Sequence, residues 1–461
     1  MEEEAGSLQI SGDRFDRDWT KGGLMRNLWS LSWPMVITNT FMMLGPTIDM
    51  IWVGRLGSAS IAGVGVSGMA VMLLNSMMMG LAQGMRAVIS RYVGAVDFEG
   101  AIHAARQALV ICAGFSVIMA IIGIFLAEPI LILLGLEPDV VAEGAAYMRI
   151  LFVGSVAMSF RMLIEGIMQA SGDTVSPMKI TIGYRFFHIA LCPFLIFGWW
   201  IFPALGVSGA ALTNVISQSL GTAIGFWFLF SGRTRLRPNM KNFRLDPSMI
   251  WRIVKVGFPA LISGVQRNVS QFLLMWFMVP FGTLAVAAHT VNQRIEMILF
   301  MPAFAIGMAS GVLAGQNLGA GQPERAERSA WLAVGVVEGI MIVCSVVILV
   351  AAENIVRIFS VEAGLVEFAG AFLRIAVTGY IVLGFVAVLM NTLSGSGDTV
   401  PPMVVGMATV CLVTLPLAYI LPRFTTLGVY GVRWAMVADL VIPAFVFIIY
   451  FRRGRWKSKI I

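Results

Sequence analysis

One acidic residue, Asp49, lies inside the first long apolar stretch of the sequence. It follows Leu31 by about 18 residues, which is roughly 27 Å along a helix axis and places it in the outer half of a bilayer. A carboxylate at the bilayer centre costs about 2.5–3.5 kcal/mol, less towards the edge. Protonating such an acid, or binding a cation to it, couples readily to a change of conformation. The alternative is an acid exposed to lipid headgroups.

Two polar groups in later stretches of the first half have depths that allow them to approach this acid. The fifth stretch carries Arg185 and His188 on one helix face, with Cys192 deeper, near the level of Asp49. The sixth carries Asn214 and Gln218, four residues apart. We predict an ion-coupling site at Asp49, His188 and Asn214, with a substrate cavity nearby that includes Arg185, Cys192 and Gln218. A packed, hydrogen-bonded histidine is the plainer interpretation of His188.

The second half has its own polar stripe. His289, Asn292, Gln293 and Glu296 have the spacing of one helix face. Arg267 and Gln271 are four residues apart on the seventh stretch. Polar faces in a membrane must meet each other or line water. We therefore predict Glu296 as a second ion-coupling residue, and Arg267, Gln271, His289, Asn292 and Gln293 as cavity residues. A buried Arg267–Glu296 ion pair is the structural alternative, as Arg161–Glu165 is in the first half.

These side chains must be positioned by membrane-spanning helices. Hydrophobic residues make up 58% of the chain and charged residues 12%, whereas soluble domains are near a quarter charged. A spanning helix needs about 20 mostly apolar residues. Twelve such stretches can be distinguished, near 31–55, 61–90, 107–127, 143–168, 178–199, 207–230, 254–280, 285–315, 329–351, 367–393, 403–423 and 428–451.

The chain also contains an internal duplication. Ser171-Gly172-Asp173-Thr174 recurs as Ser396-Gly397-Asp398-Thr399, a step of 396 − 171 = 225 residues. The same step relates Pro34 to Pro259, Gly57 to Gly282, Gly94 to Gly319, and Arg149 to Arg374. Duplicated halves are a usual way to build a membrane transporter. Six spans in each half predict a parallel repeat, with Gly172, Asp173, Gly397 and Asp398 in structural turns on one side of the membrane.

Basic residues set the orientation and the segment boundaries. They cluster before the first stretch, after the sixth and after the twelfth, which predicts that both termini are cytoplasmic. The predicted segments are a cytoplasmic N-terminal segment 1–27, an N-lobe 28–230, a basic linker 231–253, a C-lobe 254–451 and a basic tail 452–461. The N-terminal segment does not resemble a cleavable signal peptide. The net charge of +7 is read as an orientation signal, not a nucleic-acid-binding surface.

The sequence lacks several enzyme signatures. It has no Walker loop, no HExxH and no nucleophile elbow, and Cys112, Cys192, Cys344 and Cys411 have no metal-binding spacing. We therefore expect neither an enzyme nor a cofactor, and energy from an ion gradient.

Several ordered motifs identify a resemblance to a known family. They are Ser32-Trp33-Pro34, Asp49 to Gly54, Arg91 to Ala95 and Gln169 to Thr174, followed in the second half by Ala288-His289, Gly315 to Ala320 and Ser394 to Thr399. In this order the chain resembles the multidrug and toxic compound extrusion (MATE) family. The resemblance implies an all-α, V-shaped membrane protein of twelve helices in two six-helix lobes, which exchanges cytoplasmic, often cationic, drugs for H⁺ or Na⁺.

The resemblance also assigns individual residues. It places the family's first-span aspartate on Asp49, which would ligate Na⁺ if the chain were sodium-coupled. Cys192, His188 and Asn214 stand where many archaeal and related members have Asp, Asn and Thr, and Arg267 stands where some others have Glu. We expect a monomeric, multi-pass protein of the inner (plasma) membrane whose partners are small drugs or toxic organic cations, the coupling ion and the lipid bilayer. A lipid-linked saccharide flippase of the same superfamily is the alternative, and a channel or non-transporting receptor is a third.

Overall fold

The computed structural model describes residues 17–56, 58–133, 138–238, 243–359, 362–459 and 461. Three predicted features fall partly outside these described residues. They are residues 1–16 of the N-terminal segment, the repeat landmark Gly57, and residues 239–242 of the basic linker.

The described part of the chain is built of α-helices. The first lobe contains α1 (Leu24–Val53), α2 (Ser58–Gly94), α3 (Phe98–Leu133), α4 (Pro138–Ser171), α5 (Val175–Phe197) and α6 (Gly206–Phe230). The second contains α7 (Pro247–Met278), α8 (Thr283–Gly319), α9 (Pro323–Arg357), α10 (Ala363–Tyr380), α11 (Leu383–Gly395), α12 (Val400–Thr409), α13 (Leu415–Phe424) and α14 (Val429–Arg452). Short 3₁₀ helices follow at Val279–Phe281 and Arg455–Ser458.

These helices confirm the predicted all-α membrane architecture. Among the described residues, eleven helical segments are long and apolar enough to cross a membrane. The sixth stretch forms a helix of 25 residues. It is not among the eleven, because serine, glycine, Asn214 and Gln218 lower its hydropathy.

Two predicted spans are not continuous α-helices, which corrects the sequence interpretation. The tenth stretch breaks at Ile381–Val382 into α10 and α11. A carboxylate on α9 compensates the break, since Glu338 Oε1 accepts the Phe385 N–H at 3.0 Å. The eleventh stretch contains a π-helical segment, Val410–Thr414, between α12 and α13. There the Thr414 hydroxyl donates to Asp439 Oδ1 at 2.7 Å.

The two lobes meet near the end of the bundle that carries residues 17–23, the described residues of the linker and residues 453–459, here named the termini end. Glycines let α2 and α7 pack backbone to backbone there. A Cβ on Gly84 would lie 2.5 Å from the Gly257 nitrogen, and one on Gly80 would lie 2.2 Å from the Leu261 nitrogen. The neighbouring half of α1 packs into the same core as α8. The lobes are therefore closed together at the termini end.

The crossing of α2 and α8 at this end is reciprocal. A Cβ on Gly94 would lie 1.9 Å from the carbonyl oxygen of Gln316, and a Cβ on Gly319 would lie 2.1 Å from that of Arg91. Arg91 and Gln316 also bond across the lobes. Arg91 Nη2 donates to the Ser396 carbonyl at 2.9 Å, and Gln316 Nε2 donates to the Ala170 carbonyl at 2.8 Å. Positions 91 and 316 differ by the repeat step, 316 − 91 = 225.

The two repeat turns lie at the termini end, and their glycines have a left-handed conformation, with φ of 93° at Gly172 and 89° at Gly397. Asp173 caps α5 by accepting the Ser176 N–H at 3.0 Å. Asp398 does not cap α12 in this way, since the equivalent of Ser176 is Pro401, which has no N–H.

The Asp398 carboxylate instead has partners elsewhere in the C-lobe and the tail. It accepts the Tyr450 hydroxyl at 2.6 Å and pairs with Lys459 at 3.4 Å. The Asp173 side chain therefore caps the helix after its turn, whereas the Asp398 side chain does not cap α12 at the equivalent position.

An ion pair between α3 and α4 of the N-lobe repeats with the same step between α9 and α10 of the C-lobe. Arg149 lies 2.7 Å from Glu128, and Arg374 lies 3.1 Å from Glu353. Both members are shifted by 225 residues, since 353 − 128 and 374 − 149 give the same number. The duplication therefore extends from the sequence to individual side-chain contacts.

Candidate functional site

Asp49 is positioned by α1 in the interior of the N-lobe, where it is 3% exposed. His188 Nε2 lies 2.9 Å from Asp49 Oδ1, and Cys192 Sγ lies 3.5 Å from the same oxygen. His188 and Cys192 are one turn apart on α5 and therefore face α1 together. The structure thus brings together the acid and the histidine that the sequence placed at matching depths. It excludes exposure of Asp49 to lipid headgroups.

The Asp49–His188 pair joins two side chains that can each bind a proton. Asp49 Oδ1 can accept a hydrogen bond from the Nε2–H of neutral His188, whereas His188 Nδ1 is buried without a hydrogen-bond partner. One further proton turns the imidazole–carboxylate pair into an imidazolium–carboxylate pair, or a neutral imidazole beside a carboxylic acid. A change in buried charge costs free energy unless the surrounding structure rearranges to compensate it.

Arg185, predicted to line a cavity, is buried against α1 instead. Its Nη2 donates to the Met42 carbonyl at 3.3 Å, while Nε and Nη1 have no partner. A Cβ on Gly45 would lie 1.8 Å from Nη1, so glycine at this position makes room for the guanidinium. The positive charge of Arg185 acts on Asp49. Arg185 therefore belongs to the surroundings of the acid, and no residue larger than glycine fits at position 45 without displacing it.

Gln218 and Asn214 belong to a separate buried network in the N-lobe. Arg161 pairs with Glu165 at 2.6 Å, as the sequence predicted, and its Nε donates to Gln218 Oε1. Gln218 Nε2 in turn lies 3.5 Å from Asn214 Oδ1. The structure therefore places Gln218 in packing around Arg161 rather than on a cavity wall. Asn214 is half-buried beside it, and its described hydrogen bond is to Gln218, not to Asp49.

The C-lobe cluster centres on a base that sequence reasoning missed. Glu296 forms an ion pair with Arg433 of α14 and accepts the Tyr380 hydroxyl at 3.1 Å. The alternative Arg267–Glu296 ion pair is therefore wrong. Arg433 Nη1 lies 3.5 Å from His289 Nδ1, which must be the acceptor because a guanidinium only donates. The available signal was an arginine near the start of the last apolar stretch, where charge is rare.

The remaining predicted cavity residues of the C-lobe are divided between two environments. Asn292 is buried and donates to the Ala369 carbonyl at 3.3 Å. Gln293 is half-buried, and Gln271 is exposed on α7. Arg267 is exposed and lines a space between the lobes, here named the inter-lobe cavity, whose walls include Ser76, Gln83, Ser263, Arg267, Phe304 and Met390.

Asp49, His188 and Cys192 form a cluster of possible metal ligands. Its possible ligand atoms, from Asp49, His188 and Cys192, lie within 4.8 Å of one another. Only one of these three side chains offers oxygen, whereas hard cations are bound by several oxygens.

Comparison with known proteins agrees with this architecture. The MatE family model matches residues 34–194 and 259–420, one match in each lobe. A probable multidrug resistance protein NorM of Thermotoga maritima is 24% identical over 446 residues, which is 95% of this chain and 94% of that protein. An FAD transporter of Shewanella oneidensis is 23% identical over 372 residues, 80% of this chain and 82% of that one.

Solved structures show the same fold. A transporter of the MOP superfamily from Pyrococcus furiosus superposes with a TM-score of 0.90 at 24% identity, over 96% of this chain and 98% of that one. An outward-facing conformation of a multidrug resistance MATE family transporter gives 0.89 at 23% identity and the same coverage. With the family model matched across both lobes, this chain belongs to the MatE family of membrane transporters.

Proposed function

We propose that this protein is a secondary active multidrug efflux transporter that exchanges small organic compounds for protons by alternating access. The observation that carries the proposal is the buried hydrogen bond between Asp49 and His188. Membership of the MatE family and relatives named as multidrug resistance proteins support efflux as the direction of transport. One relative is named as an FAD transporter, so the relatives do not define a single substrate.

Proton exchange at the Asp49–His188 pair provides the coupling. Adding one proton changes the net charge of a buried group, and the low-dielectric surroundings make that change large in energy. The group joins α1 to α5, and Pro46 weakens α1 one turn before Asp49. The protonation state therefore biases the position of α1 against the rest of the N-lobe.

The distribution of basic residues assigns the termini end to the cytoplasm. With that orientation, the described conformation is closed to the cytoplasm, and Asp49 lies in the outer half of the membrane. A proton taken up from outside would then accompany the return of the transporter to an inward-open state. We further propose a monomer in the inner membrane.

Two alternatives to drug–proton exchange are sodium coupling and lipid flipping. Sodium coupling is disfavoured by the donor set described above. A lipid-linked saccharide flippase is favoured by one observation, the arginine in the inter-lobe cavity. A flippase would move its lipid without collapsing a pH gradient, whereas a drug–proton antiporter must collapse it.

The substitution Asp49→Asn tests the coupling role. Asn keeps the size and the acceptor oxygen of Asp49 but cannot exchange a proton, so we expect normal folding and loss of proton-driven efflux. The measurement is accumulation of ethidium, norfloxacin and fluorescein in efflux-deficient cells at matched expression. Drug-driven proton flux in proteoliposomes, with and without sodium, complements it.

Asp439→Asn is the matched control, because it makes the same chemical change at an acid that only accepts a hydrogen bond from Thr414 in the C-lobe. We expect this variant to retain most activity. Full efflux by Asp49→Asn would remove Asp49 from the coupling mechanism. Loss of flux in sodium-free buffer would replace the proton with sodium.

A further inference from the structure

We propose that the inter-lobe cavity selects small amphipathic organic anions, and that Arg267 recognises their charged group. The direction of transport in this inference rests on the proposed function, whereas the binding preference does not. The resemblance to the MATE family implies often cationic substrates, so the inference reverses the expected charge class.

The four helices between the lobes, α1, α2, α7 and α8, contain few acidic residues. Along α1, α2, α7 and α8 the acidic residues are Asp49 and Glu296. Each is bound inside its own lobe by a base, His188 and Arg433 respectively. Neither carboxylate is therefore free to neutralise a cationic substrate in the inter-lobe cavity.

Arg267 offers a positive charge to a ligand in the inter-lobe cavity. Its guanidinium is exposed in the inter-lobe cavity, and its described hydrogen-bond contact is the Met390 sulfur at 4.0 Å, which is a weak acceptor. A guanidinium offers five N–H donors in a planar fork that matches a carboxylate, sulfonate or phosphate. An organic cation in the same space would meet a like charge with no acid to compensate it.

The other polar groups of the cavity supply little ionic recognition. The hydroxyl of Ser263 donates to the Pro259 carbonyl at 3.0 Å, and that of Thr399 donates to the Val256 carbonyl at 2.7 Å. Ser76 donates to the Met72 carbonyl at 3.0 Å and accepts from Asn268. These hydroxyl protons are already used within the protein. Among the described residues that line the cavity, Arg267 alone carries a charge, so it is the strongest donor for an anionic ligand.

Apolar side chains also line the inter-lobe cavity, whose free volume of about 20 Å³ must widen as the lobes separate before a dye-sized ligand fits. Met79, Met390 and Phe304 line the same cavity as Arg267. Thioethers and aromatic rings adapt to flat apolar groups of different shape. The cavity adjoins Gly80, where α2 packs against α7, so a bound molecule would lie directly on the closed side of the lobes. The charge of the bound molecule would then lie beside the α2–α7 contact, which opens when the lobes separate.

The test compares two xanthene dyes of similar framework and opposite charge, fluorescein and rhodamine 123, binding to the purified full chain in nanodiscs. Fluorescence polarisation gives the Kd of each. We expect tighter binding of fluorescein. Arg267→Gln should weaken fluorescein about tenfold, since a charge-assisted hydrogen bond is lost, without weakening rhodamine 123. Arg267→Lys should restore most of the preference, and Arg267→Glu should invert it.

Arg374→Gln is the control, since it removes an exposed arginine that pairs with Glu353 away from the cavity. It should change neither Kd, and thermal unfolding should confirm that every variant is folded. Tighter binding of rhodamine 123 to the unchanged chain would overturn the inference. Equal weakening of both dyes by Arg267→Gln would do the same, because it would indicate a structural role.

The two proposals fail separately in this design. Asp49→Asn should keep the fluorescein preference at equilibrium while losing proton-driven efflux. Loss of the dye preference alone refutes anion selection, and retained efflux in Asp49→Asn alone refutes proton coupling.

Discussion

Each lobe encloses one acid paired with a base from another helix, but the two bases differ in kind. Histidine changes its charge near neutral pH, whereas arginine remains charged. The proposed coupling at Asp49–His188 uses this difference, while Glu296 pairs with Arg433 and accepts the Tyr380 hydroxyl. We accordingly assign coupling to the N-lobe and regard Glu296 as structural.

Glu296→Gln tests that assignment. It leaves the buried Arg433 guanidinium without its counter-charge, a change that costs about 3 kcal/mol when a buried ion pair is broken. We expect a clear loss of thermal stability in detergent with much smaller loss of proton coupling per transported drug. The double variant Glu296→Gln with Arg433→Met should recover stability. Unchanged stability, or uncoupled transport, would contradict a structural role.

The sequence predicted the acid–histidine contact because helix length fixes the depth of each residue in the membrane. Depth does not fix the direction in which a side chain points. Arg267 and Glu296 have matching depths, yet Arg267 faces the inter-lobe cavity and Glu296 turns to Arg433. Gln218 similarly turned to Arg161. Polar residues in apolar helices are therefore recognisable from sequence, while their partners require the packing of the helices.

At the scale of elements, the length of each apolar stretch predicted that a helix forms there. It did not predict where a helix is interrupted. The break at Ile381–Val382 lies within a stretch that remains apolar on both sides. The signal is a carboxylate elsewhere, Glu338 on α9, which satisfies the exposed backbone of α11. The prediction of residues 231–253 as a linker also missed the start of α7 at Pro247, although Asp246-Pro247 combines an N-cap acid with proline in the first turn.

Asp246 at this start predicts a pH dependence. Hydrogen bonds from His103, Ser248 and the Met249 N–H hold the pKa of the Asp246 carboxyl well below its usual range. A depressed pKa in the folded state means that the stabilisation is present above the unfolded pKa of about 4 and is lost as pH falls towards the folded value. Asp246→Ala should therefore lower Tm at pH 7.

The difference in Tm between Asp246→Ala and the unchanged chain should shrink as pH falls below about 4. Glu99→Ala, at an acid in the first turn of α3, is the comparison at the same end of the bundle. A difference that stays constant with pH would show that Asp246 acts by packing alone.

At the scale of the whole molecule, the repeat predicted two lobes but not which end is closed. Closure at the termini end depends on glycines at the α2–α8 crossing. Their spacing was visible as Gly94 and Gly319, but the close approach of two backbones was not. The covering of Gly172 by Trp19 at the same end was also not evident from the sequence.

Gly94→Ala should open the termini end. Its Cβ would lie 1.9 Å from the Gln316 carbonyl oxygen, which the closed crossing cannot accommodate. The exposed cysteines are first replaced, and one spin label is attached to each lobe, at Lys179→Cys and at Arg328→Cys. Double electron–electron resonance then measures the distance between the two labels. We expect longer distances in the variant. Gly114→Ala, where a Cβ meets nothing within 4 Å, should leave them unchanged; equal distributions in both variants would contradict the role of this crossing.

The reciprocal crossing of α2 and α8 has the geometry of an isologous dimer interface, in which residue i meets residue j and residue j meets residue i. During translation the N-lobe emerges first, with Gly94 and Arg91 facing no partner. Another nascent N-lobe carries the same self-complementary face and could occupy it. Because both lobes are made as one polypeptide, the C-lobe of the same chain is present at high local concentration. We therefore expect the covalent link to favour pairing within one chain over pairing between the N-lobes of two chains.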